Sequence, residues 1–146
     1  MPQSETLRRL QYLTDSLPAV ALLKDIAHHA PGFVQYDMQE GTCLGFALLS
    51  EPGIGVQKSF MSSGSIFGEH QHDSVEWLIV YDGHLEVELE DKLTDLEPGG
   101  SVRIPEQTWH TVRALRDTWL IGVTVPMEAG YPDANQPEHK RLGRVE

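Results

Sequence analysis

One stretch of the chain, residues 64–76, reads GSIFGEHQHDSVE and carries two histidines and a carboxylate within seven residues. His70 and His72 stand two positions apart, and the period of an extended chain directs both rings to one side. Glu76 follows a turn at residues 73–74 and can return to the same space from the next strand. Two imidazoles and one carboxylate match the ligands that Fe, Mn, Ni and Zn prefer. The stretch therefore predicts a metal site.

A second segment, residues 99–110, offers a fourth ligand and reads GGSVRIPEQTWH. His110 follows a turn that begins at Pro105, and it opens another short β run. If the hairpin of His110 faces the first stretch inside a barrel, His110 completes the set. The alternative is that all these residues are ordinary polar positions on a solvent-facing strand. A single His-x-His pair would favour that alternative, whereas the full set favours metal binding.

The two segments together resemble the motifs of the cupin family. The first family motif is Gly, five residues, His-x-His, three or four residues, Glu, six residues and Gly, and it is met at Gly64, His70, His72, Glu76 and Gly83. The second is Gly, five residues, Pro-x-Gly, two residues, His, three residues and Asn. It is met at Gly99, Pro105 and His110, while Gln107 replaces the glycine and Ala114 the asparagine. The resemblance implies an all-β jelly-roll barrel that binds one divalent metal ion.

The rest of the chain divides into three segments. Residues 1–32 have helical spacing of apolar residues and predict a short N-terminal helical extension that Pro31-Gly32 ends. Residues 33–126 alternate short apolar runs with turn residues about every ten positions, which is typical of a β-sandwich or barrel. Within them, Asp82-Gly83 predicts a type I′ hairpin. Residues 127–146 are rich in Gly, Pro and charged residues and predict a loose tail.

Composition narrows the possible partners. A chain of 146 residues suits one domain, and its net charge of −11 argues against nucleic acid and anionic membranes as partners. The single cysteine, Cys43, excludes an intrachain disulfide and is expected to be a buried thiol. Neither a signal peptide nor a membrane span is recognisable, so a cytoplasmic location is the expectation.

Other candidate residues have competing interpretations. The alternation of residues 84–90 turns His84 outward, so we expect it not to be a ligand. Phe67, Trp77 and Trp109 could line a substrate pocket or pack in the core. Arg103 and Arg113 could hold a substrate carboxylate or lie on the surface.

Function is predicted more coarsely than fold. The resemblance implies a metal-dependent enzyme of oxygenase or isomerase type that acts on a small molecule, with Glu76 as the catalytic residue that accepts a proton. A non-catalytic metal or ligand sensor is the alternative. The resemblance also implies a homodimer, because cupins commonly pair their barrels.

Overall fold

The computed structural model describes residues 32–133, 135 and 140–144, the last of these as backbone only. The described residues form eleven strands: β1 Phe33–Asp37, β2 Cys43–Glu51, β3 Ile54–Met61, β4 Ile66–His70, β5 Val75–Asp82, β6 Leu85–Leu89, β7 Lys92–Leu96, β8 Ser101–Ile104, β9 His110–Ala114, β10 Thr118–Val125 and β11 Lys140–Arg144. The all-β character predicted for residues 33–126 is confirmed.

The strands build a barrel from two sheets. The larger sheet has the order β11-β1-β2-β3-β10-β5-β8, and the smaller has the order β4-β9-β6-β7. Every neighbouring pair is antiparallel except β1 and β11, which run parallel. This double-sheet arrangement is the jelly roll that the sequence predicts.

Alternation along each strand creates the core between the sheets. Leu78 and Val80 of β5 face Leu85 and Val87 of β6 within one apolar cluster. Burying a side chain of this size contributes about 1.5–3 kcal/mol. Cys43 belongs to the same cluster, so the predicted buried thiol is confirmed. The core holds both sheets together and fixes which side of each strand faces the interior.

The Asp82-Gly83 turn does not close a hairpin, so that prediction is wrong. β5 pairs with β8 and β10, whereas β6 pairs with β7 and β9, and the turn therefore passes between sheets. Gly83 has a φ of +105°, and a Cβ atom there would lie 2.4 Å from Thr118 Oγ1. Glycine is required because two chain segments touch at this corner. The two-residue hairpin with positive φ lies instead at Glu90-Asp91, between β6 and β7.

The segment after β10 packs on the barrel where the sequence predicts a loose tail. Tyr131 and Pro132 are buried, and β11 adds a parallel strand beside β1. The predicted N-terminal helices lie outside the described residues. Within the described part of the chain, no helix has the length and apolarity needed to cross a membrane.

Candidate metal centre

Three histidines meet at the smaller sheet. His70 ends β4, His110 begins β9, and the two are register partners whose ring centroids lie 4.2 Å apart. His72 lies two residues beyond β4, with its ring centroid 5.0 Å from that of His110. One ring nitrogen of each histidine lies within 4.8 Å of the others. The three rings are therefore placed to bind one metal ion.

Backbone carbonyls orient all three rings. Each Nδ1 donates to the carbonyl oxygen of a residue two positions away: His70 to Gly68 at 2.7 Å, His72 to Ser74 at 2.9 Å and His110 to Thr108 at 2.7 Å. Since a carbonyl only accepts, each Nδ1 carries a proton, and in the neutral ring Nε2 keeps its lone pair. Among the described residues, the buried side-chain atoms without a hydrogen-bond partner are His72 Nε2 and His110 Nε2. These orphaned nitrogens are ligand atoms that a metal ion fits.

Glu76 approaches the histidines from the opposite sheet. It lies on β5, which follows β4 in sequence but is not its neighbour in a sheet. Glu76 Oε1 lies 3.5 Å from His72 Nε2 and 3.8 Å from His110 Nε2. The other oxygen, Oε2, accepts a hydrogen bond of 2.6 Å from the Tyr131 hydroxyl. All four residues predicted from the motifs thus lie together.

Burial and the charge of Glu76 determine the protonation of the three histidines. Burial lowers the pKa of His70, and it lowers the pKa of His110 to about 4. Burial acts in the same direction on His72, but the Glu76 carboxylate, 3.5 Å from His72 Nε2, outweighs it and raises the pKa of His72. Burial alone would raise the pKa of Glu76, yet the nearby His72 ring and the hydrogen bond from Tyr131 lower it. At neutral pH the site therefore holds a carboxylate beside imidazoles of which His70 and His110 are neutral.

The turn before His110 contains a glutamine in the left-handed region. Gln107 has a φ of 55°, a conformation that favours glycine, the residue of the family motif at this position. Its backbone N–H donates to the carbonyl of His72 at 2.6 Å, and its side-chain amide donates to Asp73 at 3.2 Å. The departure from the motif therefore preserves the turn and joins it to the loop that carries His72.

A cavity of about 60 Å³ leads into the barrel beside the histidines. Its apolar wall includes Phe67, Leu78 and Val112, and its polar wall includes Gln57 and Ser59. Its residues are, in full, Tyr36, Cys43, Gln57, Ser59, Phe67, His70, His72, Glu76, Leu78, Val112, Glu128, Gly130 and Tyr131. Apart from its histidines, this described lining has two ionisable side chains with a formal charge, Glu76 and Glu128, and both are carboxylates.

Several candidates from the sequence lie away from the cavity. His84 pairs with Asp95 on the outer side of β6, at 3.2 Å, as the alternation predicts. Arg113 binds Glu86 and Glu88, and Arg103 lies over the ring of Trp77. Trp109 is 53% exposed. Of the aromatic and basic candidates, Phe67 is the one that lines the cavity.

Sequence reasoning missed Tyr131, Glu128 and Gln57. The first two lie in the segment that was predicted to be a loose tail, and Gln57 lies within β3. One signal was present: Gly45 and Gly122 interrupt two strands, and a strand glycine marks a close approach of another group. A Cβ atom at these positions would lie 2.4 Å from Gln57 Oε1 and 2.6 Å from the Tyr131 hydroxyl, respectively.

Comparison with known proteins supports the same family. A family model described as the cupin domain matches residues 59–126, which include the four residues predicted as ligands. A search of curated proteins finds no significant match.

Solved structures share the fold. KdgF from Halomonas sp. is 26% identical, with a TM-score of 0.59 over 64% of this chain and 88% of that one. An RmlC-like cupin from Shewanella frigidimarina is 19% identical, with a TM-score of 0.59 over 65% of this chain and 85% of that one. Ectoine synthase from P. lautus is 19% identical, with a TM-score of 0.54 over 62% and 68%. Two sheets closed as a jelly roll, the motif histidines and the family model that matches residues 59–126 lead to one conclusion: this chain carries a cupin domain.

Proposed function

We propose that this protein is a metal-dependent enzyme in which His70, His72, Glu76 and His110 hold one divalent ion beside a small-molecule cavity. The observation that carries the proposal is the pair of buried, unpartnered nitrogens, His72 Nε2 and His110 Nε2. A buried polar atom without a partner costs about 1–3 kcal/mol. Coordination of a metal ion would remove that cost at both atoms.

The donor set limits the metal. Imidazole nitrogens with one carboxylate suit Fe, Mn, Ni or Zn, whereas Mg and Ca prefer all-oxygen sites. A bound ion of this group supplies Lewis acidity or redox chemistry. The protein's own part is to present neutral ring nitrogens, which the carbonyl bonds at Nδ1 favour.

The cavity limits the substrate. It is small, and its described lining holds the carboxylates Glu76 and Glu128 but neither lysine nor arginine. A substrate carboxylate would therefore find no basic side chain there. Ser59 and Gln57 supply hydroxyl and amide groups instead. We infer a small organic substrate that is recognised through hydroxyl or carbonyl oxygens.

Glu128 favours proton transfer over oxygenation. Its carboxylate accepts a hydrogen bond from the Ser74 hydroxyl, and its side chain lines both the cavity and the opening outside it. Glu76 then serves the metal while Glu128 is free to exchange a proton with a substrate. An isomerase-type reaction needs such a base, and an oxygenase-type reaction needs dioxygen as well.

Three measurements test this function. Metal analysis of protein purified without added metal should find about one Fe, Mn, Ni or Zn ion per chain. A panel of small hydroxy and carbonyl compounds should then exchange C–H hydrogen with D₂O without oxygen consumption. Oxygen uptake would favour the oxygenase-type reaction. Metal binding with neither activity would favour a sensor, and failure to bind any of these metals would contradict the proposal.

We further propose that the protein forms a homodimer through the outer face of the larger sheet. Ile79 and Tyr81 alternate with buried Leu78 and Val80, so they point away from the core, and both are exposed. The Tyr81 ring stacks at 6.4 Å on Trp119 of the neighbouring strand. A second copy would cover this apolar surface with an equivalent one.

A further inference from the structure

The two oxygens of the Glu76 carboxylate have different surroundings. Oε2 accepts the 2.6 Å hydrogen bond from Tyr131, in a place where both side chains are buried. Oε1 is the atom that faces His72 and His110. A carboxylate that is free to rotate about its terminal bond can exchange its two oxygens. A strong hydrogen bond to one of them opposes that exchange.

Tyr131 is itself held in place by polar side chains from the larger sheet. Gln57 and Tyr131 lie together beside Gly122, where a Cβ atom would be 3.5 Å from Gln57 Cγ and 2.6 Å from the Tyr131 hydroxyl, and the Tyr36 hydroxyl donates to Gln57 Oε1 at 2.9 Å. Because Oε1 of the amide accepts from Tyr36, the orientation of the Gln57 side chain beside Tyr131 is fixed. The Tyr131 hydroxyl then donates its single proton to Glu76. Tyr131 is thus hydrogen-bonded to Glu76, and its neighbour Gln57 is held by the bond from Tyr36.

The backbone leaves room for these polar groups. Gly122 is the register partner of Gln57, and its missing side chain leaves space for the Tyr131 hydroxyl, 2.6 Å from where a Cβ would lie. Gly45, on the other side of β3, leaves space in the same way for the Gln57 amide oxygen, at 2.4 Å. Glycine within a strand weakens the strand, so two at one place indicate that close approach is required.

We propose that Tyr131, supported by Gln57 and Tyr36, is a positioning residue that holds Glu76 with Oε1 alone directed at the metal centre. This inference rests on the proposed metal function. Partners that orient a metal ligand from behind contribute about 10–100-fold to metal affinity. Removal of the Tyr131 hydroxyl should therefore weaken metal binding although Tyr131 is not a proposed ligand.

The test compares Tyr131→Phe with the wild type in two metal measurements. Zinc affinity, measured by competition with a chelator, should fall about 10-fold or more. The visible spectrum of the cobalt-loaded protein should change, since a freed carboxylate can offer both oxygens. Tyr36→Phe, which removes the far end of the chain, should cause a smaller change in the same direction. Tyr81→Phe, on the outer face, should change neither measurement.

Two glycine variants distinguish displacement of the Tyr131 hydroxyl from its loss. Gly122→Ala retains every hydrogen-bonding group but displaces the Tyr131 hydroxyl, so it should reproduce the affinity loss and the spectral change. Gly53→Ala is the matched control, because its new methyl group would meet nothing within 4 Å. Thermal unfolding of each variant verifies that it is folded.

One readout is independent of metal. In metal-free protein, the proton between Tyr131 and Glu76 should give a downfield, exchange-protected NMR signal that Tyr131→Phe removes and Tyr36→Phe shifts. If the wild type shows this signal but binds no metal, the proposed function fails while the positioning stands. If the wild type binds metal and folded Tyr131→Phe retains its affinity and cobalt spectrum, the positioning is overturned while the function stands.

Discussion

His70 and His110 are direct register partners on β4 and β9, and their ring centroids lie 4.2 Å apart. Side chains that are paired across two antiparallel strands share one face of the sheet. A slip of one residue in the register would turn His110 to the opposite face. The pairing of two strands therefore fixes two of the proposed ligands before any metal binds.

Replacement of His72 should remove most of the metal affinity while the fold remains. His72→Ala deletes one of the unpartnered nitrogens, so we expect a loss larger than the roughly 100-fold upper value for indirect partners. The core cluster does not include His72, so the circular dichroism spectrum should be unchanged. Isothermal titration of metal-free protein with zinc measures the loss.

His84→Ala is the control for a general histidine effect. His84 binds Asp95 on the outer side of β6 and should contribute nothing to zinc affinity. If His84→Ala lost the metal while His72→Ala retained it, the proposed ligand assignment would be wrong.

Metal affinity should fall when the pH is lowered below neutrality. His72 is the imidazole whose pKa is raised, so it takes up a proton first, and that proton competes with the metal for Nε2. The pKa of His110 is about 4 and that of His70 is lowered, so both rings take up a proton at a lower pH than His72. Zinc titrations in buffers of different pH should therefore show release of about one proton per metal ion. An affinity that is constant from pH 5 to pH 8 would contradict this assignment.

Substitution at the corner between the sheets should cost stability without touching the metal centre. Gly83→Ala places a methyl group 2.4 Å from Thr118 Oγ1 at a φ of +105°, so we expect a loss of about 2–3 kcal/mol in the free energy of unfolding. Urea denaturation measures it. Equal stability of Gly83→Ala and Gly53→Ala would show that the corner tolerates a side chain.

A charge introduced on the outer face of the larger sheet should change the oligomeric state. Wild-type protein at micromolar concentration is expected to sediment as a dimer, and Ile79→Lys, which buries a charge in the proposed interface, should sediment as a monomer. A wild type that is monomeric under these conditions would remove the dimer proposal and leave the metal centre unaffected.

Local patterns were sufficient to predict the strands and to single out His70, His72, Glu76 and His110 as candidate ligands. His70 and His72 lie on one side because an extended chain repeats every two residues, and Leu85 and Val87 are buried for the same reason. The spacing of Gly64, Glu76 and Pro105 carried the family resemblance, which supplied the closure of the barrel. Short-range spacing is visible in a single sequence, so the all-β fold is confirmed, while binding of a metal ion by the four residues stays a prediction.

Long-range pairing was not predictable in the same way. Asp82-Gly83 has the composition of a hairpin turn, but only the pairing of β5 and β6 with other strands decides that it is a corner. Tyr131 reaches Glu76 across 55 positions of sequence, and no local period encodes such a contact. Glu90-Asp91 forms the tight hairpin without glycine because the strands on both sides impose the turn.

The parallel pairing of β1 with β11 bears on the order in which the chain can fold. Val34 and Lys140 are register partners although most of the chain separates them. Contacts of such large separation carry the greatest loop-closure entropy and are expected to form late. Contacts between β4 and β9 enclose far fewer residues, so His70 and His110 can come together before β11 pairs with β1. Pairing of β11 with β1 would then complete the larger sheet after these two histidines are in place.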